Sequence, residues 1–505
     1  MGSIHKYRHV SHSVAIAAAL VTTLSSCAIT PQPMTEKELQ TRSEQNRVAV
    51  TAHQEPISGP ISLYEAMARA LKYNLDYKVE QLNQVHKERE LKLSSFDMLP
   101  QLVANAGYYG RSNDAGASSL SLLTRKQSLE PSTSTERNGI TSDLTLSWDI
   151  LDFGLSYIRA HQKADAVLIA QEERRRVSNR VIEDVRTAYW RAVSAQRLLA
   201  QLGELQFSIQ TTLANSEKLA DRRNTVPLVA LTYQRELLDI EGNVKSLTRE
   251  LQIAKAQLAA LMNLNPGAQY QLVVPQREET LPALRMSLDA EVATALRNRP
   301  ELRQLGYQQR INERELNAQI LSVFPNLKGF IGVNYDANNY LYNNHWTQYG
   351  ARASFNLMNV FRLPDAKNAV TAEADLLRAK ELATAMAVMT QVHVANARYA
   401  LYTSELKTAG QRNLVQSRIM QQIDGGYRAG SVSQQTQLRE QMNSLVSQVR
   451  YDLAYADAQN AYANLFTAMG MDSLAPDVIG SQSVAQVAAA LKARWTQRAN
   501  TVVTE

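Results

Sequence analysis

At 505 residues, with 45% hydrophobic side chains and a mean hydropathy of -0.31, the chain is too apolar for general disorder, and beyond its first 26 residues it holds no run near the roughly 18 apolar residues of a membrane helix. The formal charge of +6 and the pI near 9.1 would suit nucleic acid, but without Lys6 and Arg8 of the leader there remain 52 basic against 48 acidic residues and no basic tract. Arg174-Arg175-Arg176 follows Glu172-Glu173 and reads as a solvated helix face rather than a phosphate patch, so no nucleic-acid partner is expected.

Residues 1–26 read as an export signal, with a basic start and the apolar core from Val14 to Val21. The segment closes on Leu24-Ser25-Ser26-Cys27, which resembles the lipobox of bacterial lipoproteins, where the cysteine becomes the acylated first residue. The alternative is an ordinary signal peptide with a chance cysteine. Cys27 is the sole cysteine, so no intrachain disulfide can form. Ala28 follows it, and in lipoproteins generally the absence of Asp there favours the outer membrane. Several acyl chains would make a stable anchor in outer-membrane lipid. Residues 27–60, with Pro31, Pro33, Pro56 and Pro60, then read as a lipidated tether carrying at most a short helix near 36–47.

The stretch Ser62 to Gly107 recurs without insertion as Ser287 to Gly332, with 13 identities in 46 positions. This divides the rest into a first repeat over 61–270, a second over 271–472 and a C-terminal segment over 473–505. Each repeat opens with an amphipathic helix; in the first, Leu63, Met67, Ala70, Leu71, Leu75, Val79 and Leu82 keep three-and-four spacing, predicting one helix to about Phe96. Pro100 and Pro325 end the helical pattern, and the period changes to two. Strands are predicted at about 101–110 and 139–151, and again at about 326–336 and 347–358. Each has an apolar and a polar face, and aromatics (Tyr108, Tyr109, Trp148, Phe153, Tyr340, Tyr342, Trp346, Tyr349) gather near strand ends, as at a membrane interface. A pair of soluble hairpins is the alternative.

Proline-free or nearly glycine-free stretches at about 157–222 and 366–424 predict helices approaching ~90–100 Å. They break at Arg223-Asn224-Thr225-Val226-Pro227 and at Gly425 to Ser431, and return helices run to about Met262 and Met469. Leu238, Ile240, Leu247, Leu251, Leu258 and Leu261 form a stripe suited to coiled-coil packing. In the C-terminal segment a short helix is expected from Val484 to Trp495, beside the waist of the long helices.

Four strands cannot close a barrel, and open edges cannot stand in hydrocarbon, so the strands predict an oligomer. Two copies would give 8 strands without an aqueous lumen; three would give 12. The duplicated order of elements, with Ser-Leu-x-x-x-x-x-x-Ala-Leu openings and Leu-Pro-x-Leu or Phe-Pro-x-Leu before the strands, resembles the TolC family of outer-membrane efflux proteins over about residues 60–472. That resemblance implies a mostly helical α+β fold: a homotrimeric 12-stranded transmembrane β-barrel continued by a periplasmic α-helical barrel. The chain would be the passive exit duct of a tripartite efflux or type I secretion system. It would dock on a periplasmic adaptor of an inner-membrane pump or ABC transporter, which supplies the energy; the chain has no Walker A pattern.

Carried over residue by residue, Tyr427, Gly430 and Ser431 are similar to the family's tip turn, where adaptor hairpins meet the channel. The first tip departs: Asn224 stands near the expected Gly, with Thr225, Val226 and Pro227 after it. Some family members place acidic gate residues after the tip; here Thr436 and Arg439 occupy those positions. The expectation is therefore a tip held by Arg439 and by Arg222 or Arg223, pairing with Asp221, Glu236 or Glu440. No enzyme motif, metal cluster or cofactor site is apparent: His345 sits in an Asn/Tyr-rich loop and His393 in a long helix. The rival reading is a structural coiled-coil outer-membrane lipoprotein without a pore, which would have no use for strands with one wet face.

Overall fold

The computed structural model describes residues 31–52, 54–128, 130–221, 227–265, 267–274, 286–471 and 482–500. The chain divides into two units, Met1–Gln54 and Glu55–Glu505. In the first, helix α1 (Glu36–Ala49) starts on a capping box: Thr35 Oγ1 accepts from the Glu38 amide at 3.3 Å, and the Glu38 carboxylate accepts from the Thr35 amide at 2.7 Å. No residue of α1 is buried.

The second unit runs α2 (Leu63–Tyr73), α3 (Leu75–Ser94), β1 (Gln101–Gly110), β2 (Asn138–Asp149), α4 (Ile150–Asp221) and α5 (Pro227–Leu261). The same order follows as α6 (Leu288–Asn298), α7 (Pro300–Leu321), β3 (Asn326–Asp336), β4 (His345–Ser354), α8 (Met358–Arg428) and α9 (Gln434–Ala468), and α10 (Val484–Asn500) closes the chain. The Ser-Leu openings are N-caps: Ser62 Oγ accepts from the Glu65 amide at 3.1 Å and Ser287 Oγ from the Ala290 amide at 3.3 Å.

The single opening helix expected to reach Phe96 is two helices. Asn74, with ψ at 127°, leaves the helical region, and its side chain caps α3 by accepting from the Tyr77 amide at 3.1 Å. In the second copy Pro300 begins α7 and forces the preceding Arg299 into extended backbone, with ψ at 131°. The apolar stripe divides accordingly, for Met67, Ala70 and Leu71 are buried whereas Leu75, Val79 and Leu82 are exposed.

Pro100 and Pro325 each stand immediately before a strand. β1 and β3 occupy the residues expected, and β2 stops at Asp149, short of 151. β4 covers His345–Ser354 rather than 347–358, because Asn356 Oδ1 accepts from the Met358 amide at 3.1 Å and turns the chain into α8. His345 accordingly opens a strand instead of lying in a loop. Residues 110–138 carry a small ladder of their own, Ala117 against Ser132 and Leu120 against Gln127.

The long helices α4 and α8 have 72 and 71 residues, roughly 110 Å each if straight. α4 and α5 pack as a coiled coil. Ala195, Leu198, Leu202, Leu205 and Ile209 of α4 and Leu237, Ile240 and Val244 of α5, each spaced alternately by three and four, are buried in one core with Leu251 seven residues further on, and Ala254 and Leu258 continue the buried line of α5. This register corrects the expected stripe at one place: Leu237 is inside and Leu238 is exposed. Leu438, Met442, Leu445 and Val449 of α9 join the same core, and Arg197 of α4 pairs with buried Asp452 of α9 at 2.6 Å. Each fully buried leucine contributes roughly 1.5–3 kcal/mol. At the waist, Val484, Val487 and Leu491 of α10 pack into a second core with Tyr189, Trp190 and Tyr455. The Glu55 carboxylate accepts from the Val484 amide at the start of α10 and from Lys72 Nζ at 2.5 Å.

Candidate functional site

The strands form one antiparallel sheet in the order β1-β2-β3-β4, so the hairpins of the two halves join through β2 and β3. Register places Leu102, Leu146, Ile331 and Tyr349 in one row across the sheet, and Ala104, Leu144, Val333 and Thr347 in the next on the same face. Leu102, Leu144, Leu146, Ile331, Val333 and Tyr349 are all exposed, Tyr349 by 80%. Among the described residues no element covers this apolar face. The opposite face carries the rows Asn105, Asp143, Asn334 and Val103, Thr145, Gly332, Gln348. Asn105 donates to Asp143 at 3.1 Å, and Thr145 Oγ1 donates to the same carboxylate at 3.1 Å. Of the aromatics expected near a membrane interface, Tyr108, Trp148 and Tyr349 lie on the apolar face, while the two-residue period puts Tyr109 and Trp346 on the other.

Among the described residues β1 and β4 are hydrogen-bonded along one edge only. Ten-residue edges with alternating free donors and acceptors are templates for pairing with another chain.

At the far end of the helices, α8 stops at Arg428, and Gly430 takes a left-handed φ of 74°. The Gly426 carbonyl accepts from the Ser431 amide at 2.9 Å, the Val432 amide at 3.2 Å and Ser431 Oγ at 3.0 Å. Ser433 Oγ caps α9 through the Thr436 amide at 3.2 Å, so Thr436 belongs to the cap. Tyr427 and Ser431 remain accessible on this turn. Arg439 of α9 donates to Glu236 of α5 at 2.6 Å, one of the pairings the sequence allowed, and Gln435 donates to the same carboxylate. The second helical hairpin is thereby tied to the first. Glu440 instead accepts from Gln416 at 2.8 Å. Cys27, Arg222, Arg223, Asn224, Thr225 and Val226 lie outside the described residues, and Pro227 is the first residue of α5.

The return helices end alike, which the sequence reading missed. Asn263 has φ 58° in Met262-Asn263-Leu264, and Gly470 has φ 68° in Met469-Gly470-Met471. An Asn or Gly between apolar residues just past a heptad run was the available signal. Gly470 abuts the α6–α7 junction, where Arg175 donates to the Asn298 carbonyl at 3.0 Å and to the Gly470 carbonyl. Nearby, Glu291 is buried and accepts from Asn396 Nδ2 at 2.9 and 3.1 Å; burial raises its carboxyl above the usual range despite those bonds. Among the described residues no helix is long and apolar enough to cross a membrane, and no group of three or more His, Cys, Asp or Glu is placed to hold a metal ion.

This arrangement has the fold of the outer-membrane efflux channels, the TolC-type fold. A membrane protein from Pseudomonas aeruginosa aligns with TM-score 0.63 and 16% identity, over 83% of this chain and 100% of that one. The Campylobacter jejuni CmeC outer membrane channel aligns with TM-score 0.63 and 14% identity, over 89% and 93%. The open state of the Neisseria gonorrhoeae MtrE outer membrane channel aligns with TM-score 0.58 and 14% identity, over 81% and 89%. No family model and no curated protein matches the sequence.

Proposed function

We propose that the chain is an outer-membrane efflux channel of the TolC type, acting as a homotrimer. The observation that carries this reading is the sheet: an uncovered apolar face, a polar face and two open edges on one four-stranded unit. In hydrocarbon each unpaired backbone group costs several kcal/mol, so β1 of one copy must pair with β4 of the next. Three copies close 12 strands around the Asn105–Asp143 face, which lines a wet lumen, and the apolar rows face lipid. Exposed apolar side chains on α3 (Val79, Leu82) and α8 (Leu376, Leu382, Met386) give neighbouring copies something to bury below the barrel. The same closure continues the pore as a tunnel of long helices through the periplasm, with the duct passive throughout.

In this reading Cys27 is acylated and holds the tether in the outer membrane. The turns at Asn224–Pro227 and Tyr427–Ser431 dock on a periplasmic adaptor, which connects the duct to an inner-membrane pump or ABC transporter for efflux or type I secretion. Arg439 and Glu236 hold the tip closed in place of an acidic ring. A pore-free coiled-coil lipoprotein would leave the sheet's edges and apolar face without a use.

Cysteine pairing tests the closure. One cysteine at Asn105 in β1 is combined in turn with one at Trp346, Gln348, Gly350 or Arg352 in β4, and the protein is oxidised in outer-membrane fractions. At one register a disulfide-linked trimer should form, absent from each single variant. Failure to link at any register in folded protein would refute the barrel.

A further inference from the structure

Apart from the sheet and the tips, the waist holds a half-open cavity of about 460 Å³ bordered by the start of α2, the middle of α4, Val273, α9 and α10. Aromatic side chains, Tyr64, Tyr189, Trp190, Tyr455 and Trp495, form much of its wall. Arg186 of α4 lines it and is only 3% exposed. Arg69, the other buried arginine among the described residues, pairs with Glu65 at 2.9 Å. Arg186 makes no hydrogen bond or ion pair with any described residue, and its Nε is buried without an acceptor. Glu183, one turn earlier, accepts from Asn464 at 2.9 Å instead. Burial pulls Arg186 down to about 10, which leaves it charged at neutral pH. Glu183 acts on it through its field without pairing with it directly, and a buried charge lacking a direct partner is costly for a fold to carry.

Two further donors stand at the same cavity. The Trp190 indole N–H is buried without an acceptor, and the exposed Lys492 of α10 has no carboxylate partner among the described residues. The Arg186 guanidinium lies over the Trp495 ring, 5.1 Å from its centroid, which leaves the guanidinium edge for two parallel N–H···O bonds. A cavity of this size with apolar walls and a few convergent polar groups has the make-up of a small-molecule site.

We propose that this cavity binds a small organic carboxylate with a flat apolar body, its carboxylate held by Arg186 and Lys492 and its body between the aromatic walls. The bound anion supplies the direct partner that Arg186 lacks among the described residues. It also bridges α4 to α10, so occupancy fastens the C-terminal helix to the waist. The site does not depend on the channel reading.

Titration calorimetry on the purified full-length protein in detergent, with 2-naphthoate as probe, tests the proposal. Saturable binding is expected, weakened roughly tenfold or more by Arg186→Met and several-fold by Lys492→Met, since hydrogen bonds to a charged group are lost. The neutral 2-naphthylmethanol should bind at least tenfold more weakly than the acid. Absence of saturable binding, equal binding of acid and alcohol, or unchanged affinity in folded Arg186→Met would overturn the site. Tighter binding of 2-naphthyl phosphate than of the carboxylate would overturn the assigned ligand class. Should Arg186→Met fail to fold, the Lys492→Met variant and the acid–alcohol comparison decide.

Discussion

Gly470→Ala and Gly430→Ala make a matched pair, because both glycines occupy left-handed backbone and differ only in what a methyl group would meet. The conformation alone costs a non-glycine residue about 1–2 kcal/mol. At Gly430, φ 74°, an added Cβ meets nothing within 4 Å, so the cost should stop there. At Gly470, φ 68°, it would lie 2.6 Å from the Asn298 carbonyl carbon, 2.7 Å from its oxygen and 2.9 Å from the Arg299 amide nitrogen. These are backbone atoms of the α6–α7 junction and cannot swing aside. The end of α9 must move away, adding about 1–3 kcal/mol of overpacking and weakening the Arg175 bonds to Asn298 and Gly470, worth about 1.5–3 kcal/mol for a charged donor. Gly470→Ala should therefore cost roughly 3–6 kcal/mol against 1–2 for Gly430→Ala. Thermal unfolding followed by far-UV circular dichroism in one detergent would show a small drop in midpoint for Gly430→Ala and a large one, or no folded protein, for Gly470→Ala. Equal shifts would refute the claim that the return helix is locked against the junction.

The Arg439–Glu236 bond, half-exposed at the tip, adds little to stability, since exposed pairs are worth ~0–1 kcal/mol. Arg439→Ala and Glu236→Gln should leave the melting midpoint nearly unchanged yet raise the conductance of reconstituted channels, with the double variant no more open than either single one; an unchanged closed state would remove the pair from the gate. Glu291, whose carboxyl burial raises, favours the proton in the folded state, so the fold loses stability as pH rises from the unfolded carboxylate range through the folded one. Glu291→Gln can still accept from Asn396 and should raise the midpoint by a few degrees at pH 7.5 but hardly at pH 4. An equal shift at both pH values would show that charge burial is not the cause.

Much of the architecture was legible because periodicity reports burial. The switch from period 3.6 to period 2 after Pro100 and Pro325 marked the strands, and unbroken helical spacing marked α4 and α8. What escaped was decided by single polar groups. Asn74 breaks the opening helix with its side chain, Asn356 ends β4 early, and Leu237 replaces Leu238 in the stripe because heptad register depends on the partner helix. At the tip, the sequence narrowed Arg439 to a few acidic partners on different elements, and only the packing of α9 beside α5 selects Glu236. The Arg186 cavity left no mark in the sequence, since five distant segments converge on it.

The most direct measurement of the central claim is single-channel conductance of the purified protein in planar bilayers. A trimeric barrel with Asp143 on its wet face should give discrete steps of uniform size, with a cation preference that weakens in Asp143→Asn. Folded, trimeric protein that inserts and conducts nothing, with the tip pair intact or removed, would contradict the account.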